Sequence, residues 1–231
     1  MSQEPSGGAD TREEETNFLY PFIDAQEDDP TSLLADLAAS AQEKSIESLA
    51  LRQSTLEANT ELLATVADEI ARRFTAGGRM FTFGNGGSST DATTLATLFA
   101  RPPIGTPLPA RTLTADSSVL TALSNDVGYE LVFSRQLIAH AKEGDIAVAL
   151  STSGSSPNLL TALREAHKRG LYTIGFSGYS GGAFAGDPNV DACFTVRSQS
   201  VHRIQESQAN LGFELWLSVH KRLSEQETMA S

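Results

Sequence analysis

Five short, nearly all-apolar runs alternating with segments of helical periodicity constrain the fold of this 231-residue chain more than any other feature. After Gly78 they fall at Arg79–Phe83, Ala110–Leu113, Asp145–Leu150, Tyr172–Phe176 and Cys193–Val196. Helices are predicted between and after them, near Ser88–Ala100, Ser117–Ser124, Tyr129–Ala141, Pro157–Arg169 and Ser200–Leu223. A strand that is apolar on both faces needs cover on both faces. The pattern therefore predicts an α/β domain, a parallel sheet flanked by helices on both faces. In such sheets ligands bind beyond the carboxyl ends of the strands, so the loops there are the place to look for chemistry.

Two further helices precede the first strand. One starts at Pro30, with Thr31 or Ser32 as caps, and carries Leu33, Leu34, Leu37, Ala38 and Ala41 on one stripe, continuing through Ile46 and Leu49. The second runs from Thr55 to Phe74 and stops at Gly77-Gly78. Residues 1–29 read as a separate acidic tail, disordered because Glu, Gly, Ser and Thr bury too little surface to offset ordering entropy. Within it, Phe18–Ile23 forms an aromatic island. Either it packs on the protein's own surface or it docks a protein partner. The remaining residues, 30–231, form one domain.

Charge narrows the partners. The chain carries −12 overall, and its first thirty residues, with nine acids and one base, contribute −8 of it. The globular part is thus mildly acidic, which argues against a nucleic-acid groove, whose affinity needs rows of Lys and Arg. The only cysteine, Cys193, sits in a predicted buried strand, so no intrachain disulfide is available. With no basic-then-apolar leader and no membrane-length apolar run, a cytoplasmic protein without membrane attachment is expected.

Two loops carry the chemistry. Phe83-Gly84-Asn85-Gly86-Gly87-Ser88 reads as strand, glycine turn and helix start. Its glycines admit a ligand to the main chain, and the free N–H groups of the new helix favour an anion. The second loop, Ser151–Ser156, follows the next buried strand and leads into Pro157, a good first helical residue after a serine cap. Its hydroxyls and main-chain N–H groups suffice for one phosphate without a positive field, although the same residues would also serve merely to cap the helix.

In order and spacing, Gly84-Asn-Gly-Gly-Ser88, Ser124-Asn-Asp-Val-Gly-Tyr129, Leu150-Ser-Thr-Ser-Gly-Ser-Ser156 and Arg203-Ile-Gln-Glu206 resemble sugar isomerase (SIS) domains. They are most similar to those of the bacterial sedoheptulose-7-phosphate isomerases, also called phosphoheptose isomerases. The likeness covers roughly residues 45–223. It implies a phosphorylated sugar as ligand, bound by Asn85, Gly86, Gly87 and Ser88 of the first loop and by Asn125 and Asp126. It further implies that Ser151, Thr152, Ser153 and Ser156 grip the phosphate and that Gln205 belongs to the site. A homotetramer or homodimer is implied as well, with a neighbouring subunit completing the site.

The departures from the family are as informative. The family binds zinc through His and Glu four apart after the first loop, and Gln and His eight apart on the last helix; that Glu also serves as base. Here those positions hold Thr94, Leu98, Gln205 and Phe213. One amide oxygen does not make a transition-metal site, so no metal or other cofactor is expected. Aldose-ketose interconversion needs a base to move a proton between neighbouring carbons, and Leu98 has none to offer. The candidates for that role are His202 and Glu206, although Glu206 would equally pair with Arg203. Asp91 reads as a first-turn carboxylate serving its own helix N-terminus. His140, His167 and His220 read as surface residues. Three functions stay open: a divergent, metal-independent phosphosugar isomerase, a catalytically silent sugar-phosphate sensor, and an oligomeric adaptor like SIS proteins that regulate replication initiation.

Overall fold

A computed structural model describes residues 30–230; the acidic tail and its aromatic island lie outside the described residues. The chain divides into two units after Ile46. Residues 30–46 are helical, with Leu34 and Leu37 exposed. In chain order the elements are α1 (Pro30–Thr75), β1 (Met80–Gly84), α2 (Gly87–Ala100), β2 (Ala110–Thr112), α3 (Ser117–Asp126), a 3-10 turn (Tyr129–Leu131) and α4 (Val132–His140). They continue with β3 (Ile146–Leu150), α5 (Pro157–Lys168), β4 (Tyr172–Gly178), a second 3-10 turn (Phe184–Gly186), β5 (Ala192–Val196) and α6 (Val201–Ala230).

All five strands pair in parallel in the order β2-β1-β3-β4-β5. The alternation of side chains along β3 shows how both faces are covered. Ile146, Val148 and Leu150 join a core with α1, α2 and α6, while Ala147 and Ala149 join a second core with α4 and α5. The expectation of an α/β sheet flanked on both faces is met. At the amino end of β3, Asp145 is wholly buried and accepts from Arg79 N, Arg79 Nη2 and Lys142 N, each at 2.9 Å. A buried carboxylate is tolerable there because its donors replace the lost water.

Three predicted elements change. The two amino-terminal helices are one, because the polar stretch Arg52-Gln53-Ser54 holds no Gly or Pro, and Ser54 Oγ donates within the helix to Leu51 O at 3.1 Å. Thr31 and Ser32 fall inside that helix and are not its caps. The helix predicted from Tyr129 begins as a 3-10 turn after Gly128, whose φ is +97°, and becomes α-helical only at Val132. Among the described residues no helix is long and apolar enough to cross a membrane.

Candidate functional site

Strand order reverses between β1 and β3: the chain leaves β1 toward β2 on one side and returns to β3 on the other. The glycine turn follows β1 and the serine loop follows β3, so both lie at the carboxyl ends of the strands beside the reversal, where open α/β sheets bind ligands.

The glycine turn begins at Gly84, where a Cβ would meet Ser88 O at 2.5 Å, and bends at Gly86, whose φ is +54°. Only glycine adopts that angle without cost. Gly87 opens α2 against Gln205, whose amide would collide with any side chain there. Gln205 thus lies directly on the turn, whereas Ser88 is buried.

Asn85 joins the turn to its surroundings. Its Nδ2 donates to Asn158 Oδ1 and its Oδ1 accepts from Asn158 Nδ2, both at 2.9 Å. The same Oδ1 accepts from Tyr129 Oη at 2.9 Å. Asn158 is buried in the first turn of α5, directly after the serine loop. The two loops are therefore tied by side-chain amides, and Tyr129 adds the segment that follows α3.

The serine loop holds its own shape. Ser151 Oγ accepts from Gly154 N at 3.0 Å and lies 3.4 Å from Ser153 Oγ, which accepts from Ser155 N at 3.3 Å. Thr152 O accepts from Gly178 N at 2.9 Å. The 179–182 segment packs so closely that a side chain at Gly182, where φ is +57°, would clash with Ser153 O. Ser156 sits at the N-cap of α5 but its side chain makes no capping bond. Its hydroxyl is thus not consumed by the helix it introduces.

Other predicted residues stand on α3 and α6. Asn125 and Asp126 are exposed at the end of α3, where Asn125 Nδ2 donates to Asp126 Oδ1 at 2.9 Å. His202 is exposed in the first turn of α6. Glu206 faces α1: its Oε2 accepts from Ser48 Oγ at 2.9 Å and from Arg52 Nη2 at 3.1 Å, and these donors, Ser48 first, hold its carboxyl below the usual range. A carboxylate so held is a poor proton acceptor, and Arg203 pairs instead with Glu47. His220 is not a surface residue. It packs between Phe99 and Trp216, and burial lowers its pKa.

Asp91 departs furthest from expectation. It caps nothing: its Oδ2 is buried without a hydrogen-bond partner, and burial raises its pKa. With Thr94 and Leu98 it lines a cavity of about 50 Å³ whose other wall includes Leu150, Gln208 and Phe213. Thr94, Leu98 and Phe213 stand at three of the four positions where the resemblance implies zinc ligands. Leu98 and Phe213 have no lone pair to give, and Thr94 Oγ1 donates to Thr90 O at 3.0 Å. Among the described residues no three His, Cys, Asp or Glu side chains gather closely enough to hold a metal ion. The residues present do not fit zinc.

Asn158, Asp91, Gln208 and Tyr129 are missing from the site expected from the sequence, where Asp91 reads only as a carboxylate serving its own helix N-terminus. The signal for the first three was a polar residue at a core-facing helical position. Asn158 shares its stripe with Ala162 and Asp91 with Leu95, while Gln208 lies between Ile204 and Leu211. Buried polar groups are retained where something outside the apolar core satisfies them.

A parallel sheet with a glycine turn and a hydroxyl loop at its reversal defines an α/β protein whose two loops meet at the switch point. The chain belongs to the SIS domain family, whose model matches residues 46–178. It is 38% identical over 183 residues to a phosphoheptose isomerase of Roseiflexus sp. (strain RS-1), covering 78% of this chain and 91% of that protein. To the phosphoheptose isomerase of Burkholderia pseudomallei (strain K96243) it is 44% identical over 160 residues, covering 67% and 80%. The solved structure of phosphoheptose isomerase from Neisseria gonorrhoeae aligns with a TM-score of 0.74 at 30% identity, covering 79% of this chain and 98% of that one.

Proposed function

We propose that this protein binds a phosphorylated sugar of the heptose-phosphate class, without a bound metal, through the crevice between the glycine turn and the serine loop. The observation that carries the reading is Ser156. Its hydroxyl is free at the start of α5, in a loop clamped to the glycine turn by the Asn85–Asn158 pair. Hydroxyls and the amide groups of a helix N-terminus provide neutral donors for one phosphate. The similarity to phosphoheptose isomerases supports the sugar class. Thermal unfolding with a panel of sugar phosphates tests it. A ligand at about a hundred times its dissociation constant adds roughly 2.7 kcal/mol, and a midpoint unmoved by every sugar phosphate overturns the reading.

A second reading, metal-independent isomerase turnover, is favoured by the identity of 38–44% to phosphoheptose isomerases. Against it stand Leu98 in place of the base and Glu206 engaged with α1. Incubation with sedoheptulose 7-phosphate, with and without zinc, decides between them. A rate equal to the blank and indifferent to His202→Ala removes the enzyme. Self-assembly belongs to the proposal: Leu34, Leu37 and Ile46 are 67%, 57% and 60% exposed, the mark of a helix stripe awaiting cover. Light scattering of the full chain reads the outcome, and a monomer at all concentrations overturns this part.

A further inference from the structure

We infer that Asp91 and Gln208 form a second subsite, which receives hydroxyl groups of the sugar beyond its phosphate. The inference rests on the phosphosugar reading above. Asp91 Oδ2 and Gln208 Oε1 are both buried, both without a hydrogen-bond partner, and both belong to residues lining the same cavity of about 50 Å³. An ionised carboxylate and an amide oxygen only accept. Each unsatisfied acceptor costs about 1–3 kcal/mol, so two on one cavity require a donor from outside the protein.

Gln208 cannot remove the conflict by turning over. Its Nε2 donates to Ser151 O at 2.9 Å, and a flipped amide would set oxygen against oxygen. The side chain is only 1% exposed, so the orientation is enforced by packing as well. That hydrogen bond also fixes where the subsite lies relative to the phosphate loop. Leu150 lines the cavity and Ser151 is the next residue, so one peptide separates the two.

The cavity's chemistry selects among donors. Leu98, Leu150 and Phe213 supply an apolar wall suited to the C–H faces of a carbon chain, and no acid or base besides Asp91 lines the cavity. At Gly212 a Cβ would lie 3.2 Å from Leu95 Cδ1, so a bare backbone lets α6 approach α2 and keeps the cavity narrow. A narrow space with an apolar wall, lined by two residues whose acceptor oxygens lack partners, suits small neutral donors carried on carbon. The raised pKa of Asp91 agrees, since partial burial is its cause and Oδ2 has no partner in the protein.

The test measures affinity, not turnover. Titration calorimetry compares sedoheptulose 7-phosphate, glycerol 3-phosphate and inorganic phosphate on the wild type, Asp91→Asn and Gln208→Leu. Each variant is expected to lose roughly tenfold in affinity for the heptose phosphate, the cost of one hydrogen bond to a charged or buried acceptor, with inorganic phosphate unchanged. If both variants keep the wild-type ratio of heptose phosphate to phosphate affinity, the subsite is wrong and the phosphate loop stands. If the wild type binds none of the three, the phosphosugar reading itself fails. Should either variant not fold, the wild type decides alone: equal affinity for glycerol 3-phosphate and heptose phosphate overturns the subsite, and a clear preference for the longer ligand upholds it.

Discussion

Asn85 and Asn158 exchange two hydrogen bonds of 2.9 Å across the junction of β1 and β3, so the glycine turn and the first turn of α5 are held as one unit. Replacing Asn158 with Ala leaves the Asn85 amide half-satisfied beside a buried gap. A loss of about 1–3 kcal/mol in stability is expected, read by denaturant unfolding. Sugar-phosphate affinity should fall with it, because the two halves of the crevice are no longer in register. A variant with wild-type affinity would show that the pair is merely structural.

Gly182→Ala should distort the serine loop. Its Cβ would strike Ser153 O, and φ there is +57°. Gly77→Ala is the control, since φ is +82° with nothing within 4 Å. The control should lose only the backbone cost of about 1–2 kcal/mol and keep its ligand affinity, whereas Gly182→Ala should lose both. Equal affinities in the two variants would contradict the close packing.

Asp91→Asn should stabilise the ligand-free protein at neutral pH. A carboxyl whose pKa is raised in the folded state contributes most below its unfolded pKa and loses that contribution as pH rises through the folded one. Above that range the buried charge is a penalty that the amide does not carry. A higher unfolding midpoint at pH 7 is expected, read by thermal unfolding, where each ~1 kcal/mol moves the midpoint of a domain of this size by about 2–4 °C. The gain should vanish toward pH 3.

Glu69 sets an acid limit to stability. Hydrogen bonds from Arg72 and Arg73 lower its pKa from 4.5 to about 2 despite partial burial. Its contribution is therefore complete above pH 4.5 and is lost as pH falls toward 2. In Glu69→Gln the midpoint should fall at neutral pH and depend less on pH between 4.5 and 2. Parallel curves for variant and wild type would argue that the arginines contribute nothing.

Glu206→Gln should leave sugar-phosphate affinity and any turnover within about twofold, while loosening the tie between α6 and α1. The Arg52 partner is 39% exposed and the carboxylate 45%, so the stability change should stay near 0.2–1 kcal/mol. A large loss of turnover would restore Glu206 as a proton carrier.

The five strands and the helices that cover them were legible because burial on both faces leaves runs such as Ile146–Leu150 with no polar residue. The loops at the carboxyl ends were legible for a local reason: a glycine turn and a Ser-Pro cap declare themselves within a few residues. The links between loops were not. Asn158 finds Asn85 across 73 positions of sequence, and Gln208 finds Ser151 across 57. Each reads locally as a polar side chain on an apolar stripe, and only the sheet order says what it meets. Asp91 was misplaced because its position near a helix start suggested the helix dipole, whereas the close approach of α6 turned it into a cavity wall.

The chain contains a single tryptophan, Trp216, whose ring lies 5.3 Å from that of Phe213 on the lip of the Asp91 cavity. Intrinsic emission therefore comes from one place, next to the surface that a ligand would contact. The molecule carries its own label, and occupancy of that wall can be followed by fluorescence without any dye.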